Sequence, residues 1–244
     1  MTLLERYTER INQQIKTVEE TQNAMIITVG NVIAEAVKNG RGLYIYDTGH
    51  IVDQELRVRG GGLVLLKRFG YDLVMPTNDC LHERDRSDVN TSMEGFAAYA
   101  IRKSPMLPGD VLVIGSVSGK SESVVDLAIE AKKFGLITVA LTSVEYSSQV
   151  ASEHSSGLRL FEATDYVLDN CAPAAEGMLE IPGIEAPFGA ASGISAALIM
   201  WSVCAQVVDK LMEYGITPSI YKSGNFGGEP YNTELRNNFK KNGY

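Results

Sequence analysis

Residues 108–142 read PGDVLVIGSVSGKSESVVDLAIEAKKFGLITVALT, the clearest indication of a fold class in the chain. After a Pro-Gly-Asp turn, residues 111–114 form a wholly apolar run, which is typical of a strand buried on both faces. A loop of serines and glycines leads into residues 122–134, whose apolar positions keep helical spacing until Gly135. A second apolar run at 137–141 completes a βαβ unit, so we predict two parallel strands and a right-handed crossover.

Similar elements lie on both sides of this unit. We predict further strands at 43–46, 71–75 and 166–168, and helices at 93–102 and 192–212. Strands that alternate with helices form an open parallel sheet covered on both faces. The predicted fold class is therefore α/β, a three-layer doubly wound parallel sheet.

The two ends of the chain have a different character. Residues 3–39 read as two N-terminal helices, the second capped by Thr21, and Asn39-Gly40 ends them. The tail from 215 to 244 is rich in Gly, Asn and Pro and reads as irregular. We predict N-terminal helices over 1–40 that pack on the core, one α/β domain over 41–214 and an irregular tail.

Ligands of open parallel sheets bind outside the carboxyl ends of the strands, which draws attention to the loop over residues 115–121, the serine loop. Its glycines permit close approach to a ligand, and the N–H groups that begin the next helix have no internal partners. Three serine hydroxyls add donors, so the loop has the chemistry of a phosphate cradle. Two other interpretations stay open: a nucleotide-binding P-loop, although the Gly-x-x-x-Gly-Lys-Ser spacing is one residue short, and a plain strand-to-helix turn capped by serines.

Residues 110–135 resemble the core of the SIS (sugar isomerase) domain family. That core has a strand, a Ser-x-Ser-Gly-x-Ser/Thr loop and a helix ending in Ala-Lys-x-x-Gly, and residues 137–142 match its next strand, which ends in Thr. The resemblance extends over about residues 30–212. Within the family the chain is most similar to uncharacterised phosphoheptose-isomerase-like proteins, through Gly49-His50, residues 59–62 and residues 154–160.

The resemblance implies a flavodoxin-like SIS domain that binds a phosphorylated sugar and that usually dimerises. The residues that would hold the sugar phosphate are Thr48, Ser116, Ser118, Gly119 and Ser121. Two departures put heptose specificity in doubt: Val117 replaces a hydroxyl residue, and the first loop lacks Asn-Gly-Gly-Ser.

An aldose–ketose isomerisation needs a base to move a proton between adjacent carbons and a group that opens the sugar ring. We predict Glu94, after a polar loop, as the base and His50, at the end of the first strand, as its helper. Glu94 could instead be an acid that stabilises a helix start. His82 and His154 read equally well as surface or as site residues, and we predict no metal and no cofactor.

The composition limits the partners. With a net charge of −8 and no basic block, the chain is a poor ligand for nucleic acid or an anionic membrane. Three distant cysteines and a charged N-terminal segment favour the cytoplasm. Residues 188–208 carry no charge and could span a bilayer by length, but their glycine, serine and glutamine indicate a core helix or a subunit interface.

These features together predict a phosphosugar isomerase of the phosphoheptose-isomerase-like type, as a homodimer or larger homo-oligomer. Two alternatives remain, because the same loop serves each: a phosphosugar sensor without catalysis, or an etherase-type lyase acting on an amino-sugar phosphate.

Overall fold

The computed structural model describes residues 1–48, 53–57, 59–74, 85 and 87–244. The helices are α1 Leu3–Lys38, α2 Asp53–Leu56, α3 Phe96–Lys103, α4 Glu122–Phe134, α5 Val144–Ser148, α6 Leu160–Ala163, α7 Ser192–Glu213 and α8 Gly228–Asn242. The strands are β1 Leu43–Asp47, β2 Leu66–Arg68, β3 Val111–Gly115, β4 Ile137–Thr142, β5 Tyr166–Asp169, β6 Gly177–Ile181 and β7 Ile184–Ala190.

Five parallel strands form the main sheet, in the order β2-β1-β3-β4-β5. Every residue of β3 is buried, which explains its continuous apolar sequence. Val111 and Val113 belong to one core with α1 and α7, whereas Leu112 and Ile114 belong to a second core with α3 and α4. Helices therefore cover both faces, and the predicted three-layer doubly wound α/β fold is confirmed.

The N-terminal region differs from the prediction of two helices, because α1 runs without a break from Leu3 to Lys38. Thr21, the expected cap, donates its hydroxyl to the Thr17 carbonyl one turn earlier within the same helix. The apolar face also continues across this point, with Val18 and Ile26 both buried. Asn39 and Gly40 end the helix as predicted, and Gly40 takes a φ of 72°.

The strands differ from the prediction in two places. The second strand is Leu66–Arg68 rather than 71–75, of which residues 71–74 are described and carry no strand. Leu66 pairs with Leu43, while Tyr71 uses its ring to stack on Tyr46 at a centroid distance of 5.9 Å. An antiparallel hairpin of β6 and β7 takes up the first residues of the uncharged 188–208 segment.

The tail is irregular only in its first part, because α8 covers Gly228–Asn242. Asn232 of this helix is buried and bonds both the N–H and the carbonyl of Lys222, which holds the helix against the preceding segment. The Gly-Asn-Pro composition did not predict this helix, which Asn232 holds to the preceding segment and Phe239 packs against the core.

Among the described residues, α7 alone is long and apolar enough to cross a membrane by length and composition. Core helices of globular proteins share this length and composition. Much of α7 faces the sheet and α1, and Ile199, Val203 and Val207 are fully buried or nearly so.

Close packing of α1 on α7 leads to a stability prediction. A Cβ atom on Gly30 would lie 2.5 Å from Cγ of Gln206, so Gly30→Val should force the two helices apart. We expect the free energy of unfolding to fall by roughly 1–3 kcal/mol in a urea titration. Ala24→Val, at an exposed position of the same helix, is the control and should cost much less. Equal losses in both variants would contradict the close approach.

Candidate functional site

The strand order places a crevice between β1 and β3. After β1 the chain passes to α2, which contacts α7, whereas after β3 it passes to α4 on the opposite face of the sheet. Connections that leave to opposite faces open a gap at the carboxyl ends of the two neighbouring strands, which is where such folds bind ligands. The serine loop and Thr48 both lie at this point.

Thr48 is the first residue after β1, and the structure brings it to the base of the serine loop. Its backbone N–H and its hydroxyl both donate to the Gly115 carbonyl oxygen, at 3.3 Å each. This contact follows from the pairing of Asp47 with Gly115, since both strands end at the same level of the sheet.

Backbone hydrogen bonds hold the serine loop in one shape. The Thr142 hydroxyl and the Ser143 N–H donate to the Val117 carbonyl, at 2.9 and 3.0 Å. Gly119 has a φ of 56°, and a Cβ atom there would lie 2.9 Å from Cβ of Leu160, so only glycine fits. Its carbonyl accepts the Leu160 N–H at 2.8 Å.

The loop nevertheless keeps its hydroxyl groups available. Within the part of the chain that the structure describes, the hydroxyls of Ser116, Ser118 and Ser121 make no hydrogen bond. Ser121 occupies the N-cap position of α4, yet its side chain does not cap the helix. Three free hydroxyls and the unpaired N–H groups of the first turn of α4 therefore form a set of donors suited to an anion.

A cavity of about 640 Å³ lies at the carboxyl end of β1. Thr48 lines it and also donates to the carbonyl of Gly115, the first residue of the serine loop, so Thr48 stands between the cavity and the loop. The residues that line the cavity are Tyr46, Asp47, Thr48, Arg68, Phe69, Gly70, Tyr71 and Asp72. Burial raises the pKa of Tyr46 and of Tyr71, so both phenols stay neutral and can donate or accept hydrogen bonds at physiological pH.

Glu94 lies just before α3, and its carboxylate does not stabilise the start of that helix. Oε1 accepts the backbone N–H of Ser155 at 2.7 Å, and Oε2 accepts the Ser155 hydroxyl at 2.6 Å. The hydroxyl bond, followed by the backbone bond, lowers the pKa of Glu94, which keeps the group ionised. The interpretation of Glu94 as a helix-start acid is therefore wrong for this structure.

His154, which the sequence left open between a surface and a site residue, lies beside Glu94. Its side chain is only 8% exposed, and Nε2 lies 3.8 Å from Glu94 Oε1 and 4.0 Å from Asp126 Oδ1. The Ser156 N–H donates to Nδ1 at 3.0 Å, which makes Nδ1 an acceptor and leaves the proton of the neutral ring on Nε2. The imidazole thus presents its N–H to two carboxylates.

Asp126 performs the helix-start role that was considered for Glu94. It is buried in α4, and its two oxygens accept the N–H groups of Gly95 and Ala97 at 2.9 and 3.2 Å. These bonds explain why α3 begins at Phe96 rather than at Met93. Asp126 therefore fixes the position of Glu94 through the backbone.

The segment over residues 153–160 joins these groups to the serine loop. The Glu153 N–H donates to the Lys120 carbonyl, and the two side chains form an ion pair of 2.6 Å. Two residues further on, Ser155 holds Glu94, and at the far end Leu160 holds Gly119. The predicted base and the predicted phosphate loop are therefore linked by one short segment.

The outcome for the predicted site is uneven. Thr48 and the serine loop come together, and Glu94 is linked to them, whereas His50 and His82 lie outside the described residues. Among the residues that are described, no group of His, Cys, Asp or Glu side chains is placed to hold a metal ion. The signal for His154 was present in its setting, a histidine followed by Ser-Ser-Gly in a polar loop between two strands.

The fold and the site define an α/β protein with a serine-rich loop, rich in hydrogen-bond donors, at the switch point of a parallel sheet. A family model described as the SIS domain matches residues 6–143, and the chain belongs to the SIS domain family.

Its relatives include a UPF0309 protein of Halalkalibacterium halodurans, 31% identical over 96% of this chain and 97% of that protein. A UPF0309 protein of Shouchella clausii is 28% identical over 98% of each chain.

Among solved structures, the chain is similar in fold to phosphoheptose isomerase GmhA from Neisseria gonorrhoeae, with a TM-score of 0.51 and 16% identity. The match covers 85% of this chain and 100% of the Neisseria gonorrhoeae chain. A phosphoheptose isomerase from Francisella tularensis matches equally, with a TM-score of 0.51, 16% identity and coverage of 86% and 100%. At this identity the likeness concerns the fold.

The contact between Glu94 and Ser155 has a consequence for pH dependence. In Ser155→Ala the hydroxyl donor is lost, so the pKa of Glu94 should rise toward its ordinary value of 4.5. An NMR titration of the side-chain carboxyl groups measures this pKa, and the signal that disappears in Glu94→Gln identifies Glu94. Because the folded pKa of Glu94 is lowered, its contribution to stability is present above pH 4.5 and is lost as pH falls through the lowered pKa. The variant should therefore lose less stability on acidification than the wild type. An unchanged titration would show that Ser155 does not hold the carboxylate in solution.

Proposed function

We propose that the protein binds a phosphorylated sugar and acts as a phosphosugar isomerase of the phosphoheptose-isomerase-like type. The observation that carries the proposal is the set of unpartnered hydroxyls on Ser116, Ser118 and Ser121 at the start of α4, joined by residues 153–155 to the Glu94–His154 pair. Membership of the SIS domain family supports the ligand class. Two proteins of similar fold are phosphoheptose isomerases, which is consistent with the reaction class.

The phosphate would bind where the donors lie. Ser116, Ser118 and Ser121 would donate hydroxyl hydrogen bonds to phosphate oxygens, and the positive end of α4 would stabilise the charge. Gly119 permits the tight turn that lets the backbone approach, and Thr48 closes the base of the loop. The sugar itself would extend into the adjoining cavity of about 640 Å³, toward Tyr46 and Tyr71.

The chemistry would divide between two side chains. An aldose–ketose isomerisation removes a proton from one carbon, passes through an enediol and returns a proton to the adjacent carbon. Glu94 is ionised, so it can accept that proton once it exchanges its Ser155 hydrogen bonds for the substrate. His154 carries its proton on Nε2 beside Glu94. It can therefore transfer protons to and from the oxygen atoms of the sugar, the role in ring opening that the sequence predicted for His50.

One observation favours a second candidate, a phosphosugar sensor without catalysis. Both oxygens of Glu94 are occupied by Ser155, and the lowered pKa makes the carboxylate a weaker base. A carboxylate arranged in this way could serve only to fix the loop that borders the ligand. The two candidates share the phosphate site and differ only in turnover.

The setting of the protein completes the proposal. We infer a cytoplasmic homodimer or larger homo-oligomer that binds neither nucleic acid nor membrane. The net charge of −8 supports the absence of polyanionic partners, the distant cysteines support the compartment, and the uncharged 188–208 segment supports the assembly. Cys171 and Cys204 are both free thiols in the structure.

Binding is tested with a panel of sugar phosphates in the presence of EDTA, first by thermal shift and then by calorimetry. We expect at least one sugar phosphate to stabilise the protein without magnesium. Ser118→Ala and Ser121→Ala should each reduce the binding free energy of that ligand by roughly 1–3 kcal/mol, because each removes a charge-assisted hydrogen bond. Ser148→Ala, whose hydroxyl serves its own helix, is the control. Magnesium-dependent ATP binding without sugar phosphate binding would refute the proposal.

Turnover separates the enzyme from the sensor. With the sugar phosphate found in the screen, exchange of solvent deuterium into the sugar reports enediol formation. Glu94→Gln should lower the rate by roughly 100-fold or more while the Kd stays nearly constant. His154→Asn, which keeps an acceptor for the Ser156 N–H but removes the Nε2 proton, should also lower the rate. The control is Glu234→Gln on the exposed side of α8. No exchange in the wild type, despite binding, would identify a sensor.

A further inference from the structure

The serine loop contains one cationic side chain, that of Lys120, between Gly119 and Ser121. Its Nζ lies 2.6 Å from Oε1 of Glu153, and the hydrogen bond within this ion pair raises the pKa of Lys120. The Glu153 N–H also donates to the Lys120 carbonyl at 2.9 Å, so side chain and backbone both join the two residues. The loop therefore carries a permanent positive charge whose partner in the unliganded chain is an acid.

The start of α4 combines unused hydrogen-bond donors with negative charge. Ser116 is only 7% exposed, and its hydroxyl makes no hydrogen bond to any part of the chain that the structure describes. A buried hydroxyl without a partner is unfavourable, and a bound anion would satisfy it. Glu122, however, follows Ser121 in the first turn of α4 and carries a carboxylate there, which accepts the Met93 N–H. A phosphate dianion at this position is repelled by that carboxylate, so the site needs a cation.

Arg159 is a second basic residue near the serine loop, because the next residue, Leu160, bonds Gly119. Its guanidinium group is already committed. Nε and Nη2 donate to the two carboxylate oxygens of Glu162 at 2.9 and 2.7 Å, and Nη1 donates to the Ser147 carbonyl at 3.2 Å. These bonds lower the pKa of Glu162 to about 2, as expected of a bidentate pair. Arg159 is therefore a structural cation that a ligand does not displace.

The ion pair of Lys120 is held much less firmly. The two side chains are 42% and 51% exposed, and such an exposed pair changes an equilibrium constant by about fivefold or less. A charge-assisted hydrogen bond to a phosphate is worth about tenfold or more. A phosphate monoester also carries a charge of about −1.5 to −2 at pH 7, against −1 on Glu153. These magnitudes favour transfer of the ammonium group from the carboxylate to a bound phosphate.

We propose that Lys120 is the cation of the phosphate site and that Glu153 competes with the ligand for it. The affinity of the serine loop for phosphate is then the difference between two interactions of one ammonium group. This inference rests on the proposed phosphosugar site and deepens it, because it names the residue that recognises the charge of the ligand. It also gives the Gly119-Lys120-Ser121 sequence a role without a nucleotide.

The Kd for inorganic phosphate, measured by calorimetry in EDTA at constant ionic strength, tests this exchange. Lys120→Met keeps the length of the side chain but not its charge, so it should raise the Kd roughly tenfold or more. Glu153→Gln removes the competing charge and should lower the Kd about three- to fivefold. In the double variant, Glu153→Gln should have no further effect, because no ammonium group remains to be released.

Lys133→Met is the matched control. Its Nζ lies at the same distance of 2.6 Å from Glu130 Oε1 but at the other end of α4, so the Kd should keep its wild-type value. Far-UV circular dichroism of each variant should match the wild type, because the substituted side chains are exposed.

Three outcomes would overturn the inference and leave the proposed function intact. They are an unchanged Kd in Lys120→Met, a Kd that Glu153→Gln raises, and an effect of Glu153→Gln that is equal with and without Lys120. The last of these would mean that Glu153 merely repels the ligand. A wild type that does not bind inorganic phosphate would overturn the inference too, and the proposed function falls with it only if no sugar phosphate binds either.

Discussion

The pairing of β3 with a parallel strand on each side is the constraint on which the structure depends. All five residues of Val111–Gly115 are buried, so every backbone N–H and carbonyl group of this strand needs a protein partner, and β1 and β4 supply them in register. That register sets Asp47 beside Gly115 and Leu141 beside Gly115 on the other side. The loops after these three strands must therefore meet at one edge, where Thr48 and Thr142 each donate a hydrogen bond to the serine loop.

A second level of organisation depends on that edge. Residues 153–160 return across the serine loop and attach to it at Lys120 and Gly119, and between these contacts Ser155 binds Glu94. Asp126 fixes the same region from below through the N–H groups of Gly95 and Ala97. The electrostatic state of Glu94 thus arises from groups that are 61 residues away in sequence, and the same contacts place His154 against it.

Local patterns predicted the elements whose stability is local. The strand at 111–114, the helix up to Gly135 and the strand at 137–141 were all visible in composition and period, because a buried strand and an amphipathic helix each leave a regular trace. Prediction was wrong where another part of the chain decides. Thr21 was predicted to cap a helix but lies inside α1. The segment of α8 was predicted to be irregular, whereas in the structure it is a helix in which Asn232 bonds Lys222. The strand at Leu66–Arg68 depends on pairing with Leu43, whereas the aromatic run at Tyr71 packs by its rings.

The amino-acid sequence alone predicted the α/β class, the position of the serine loop between a buried strand and a helix, and the family to which the chain belongs. Each of these depends on residues that are neighbours along the chain, so their spacing carries the information. Only the tertiary structure decided that Glu94 binds Ser155, that Asp126 rather than Glu94 stabilises the start of α3, and that His154 lies between two carboxylates. It also decided which side of α7 is fully buried, because that side packs against the sheet and α1. Such contacts join residues far apart in sequence, and no local period or propensity encodes them.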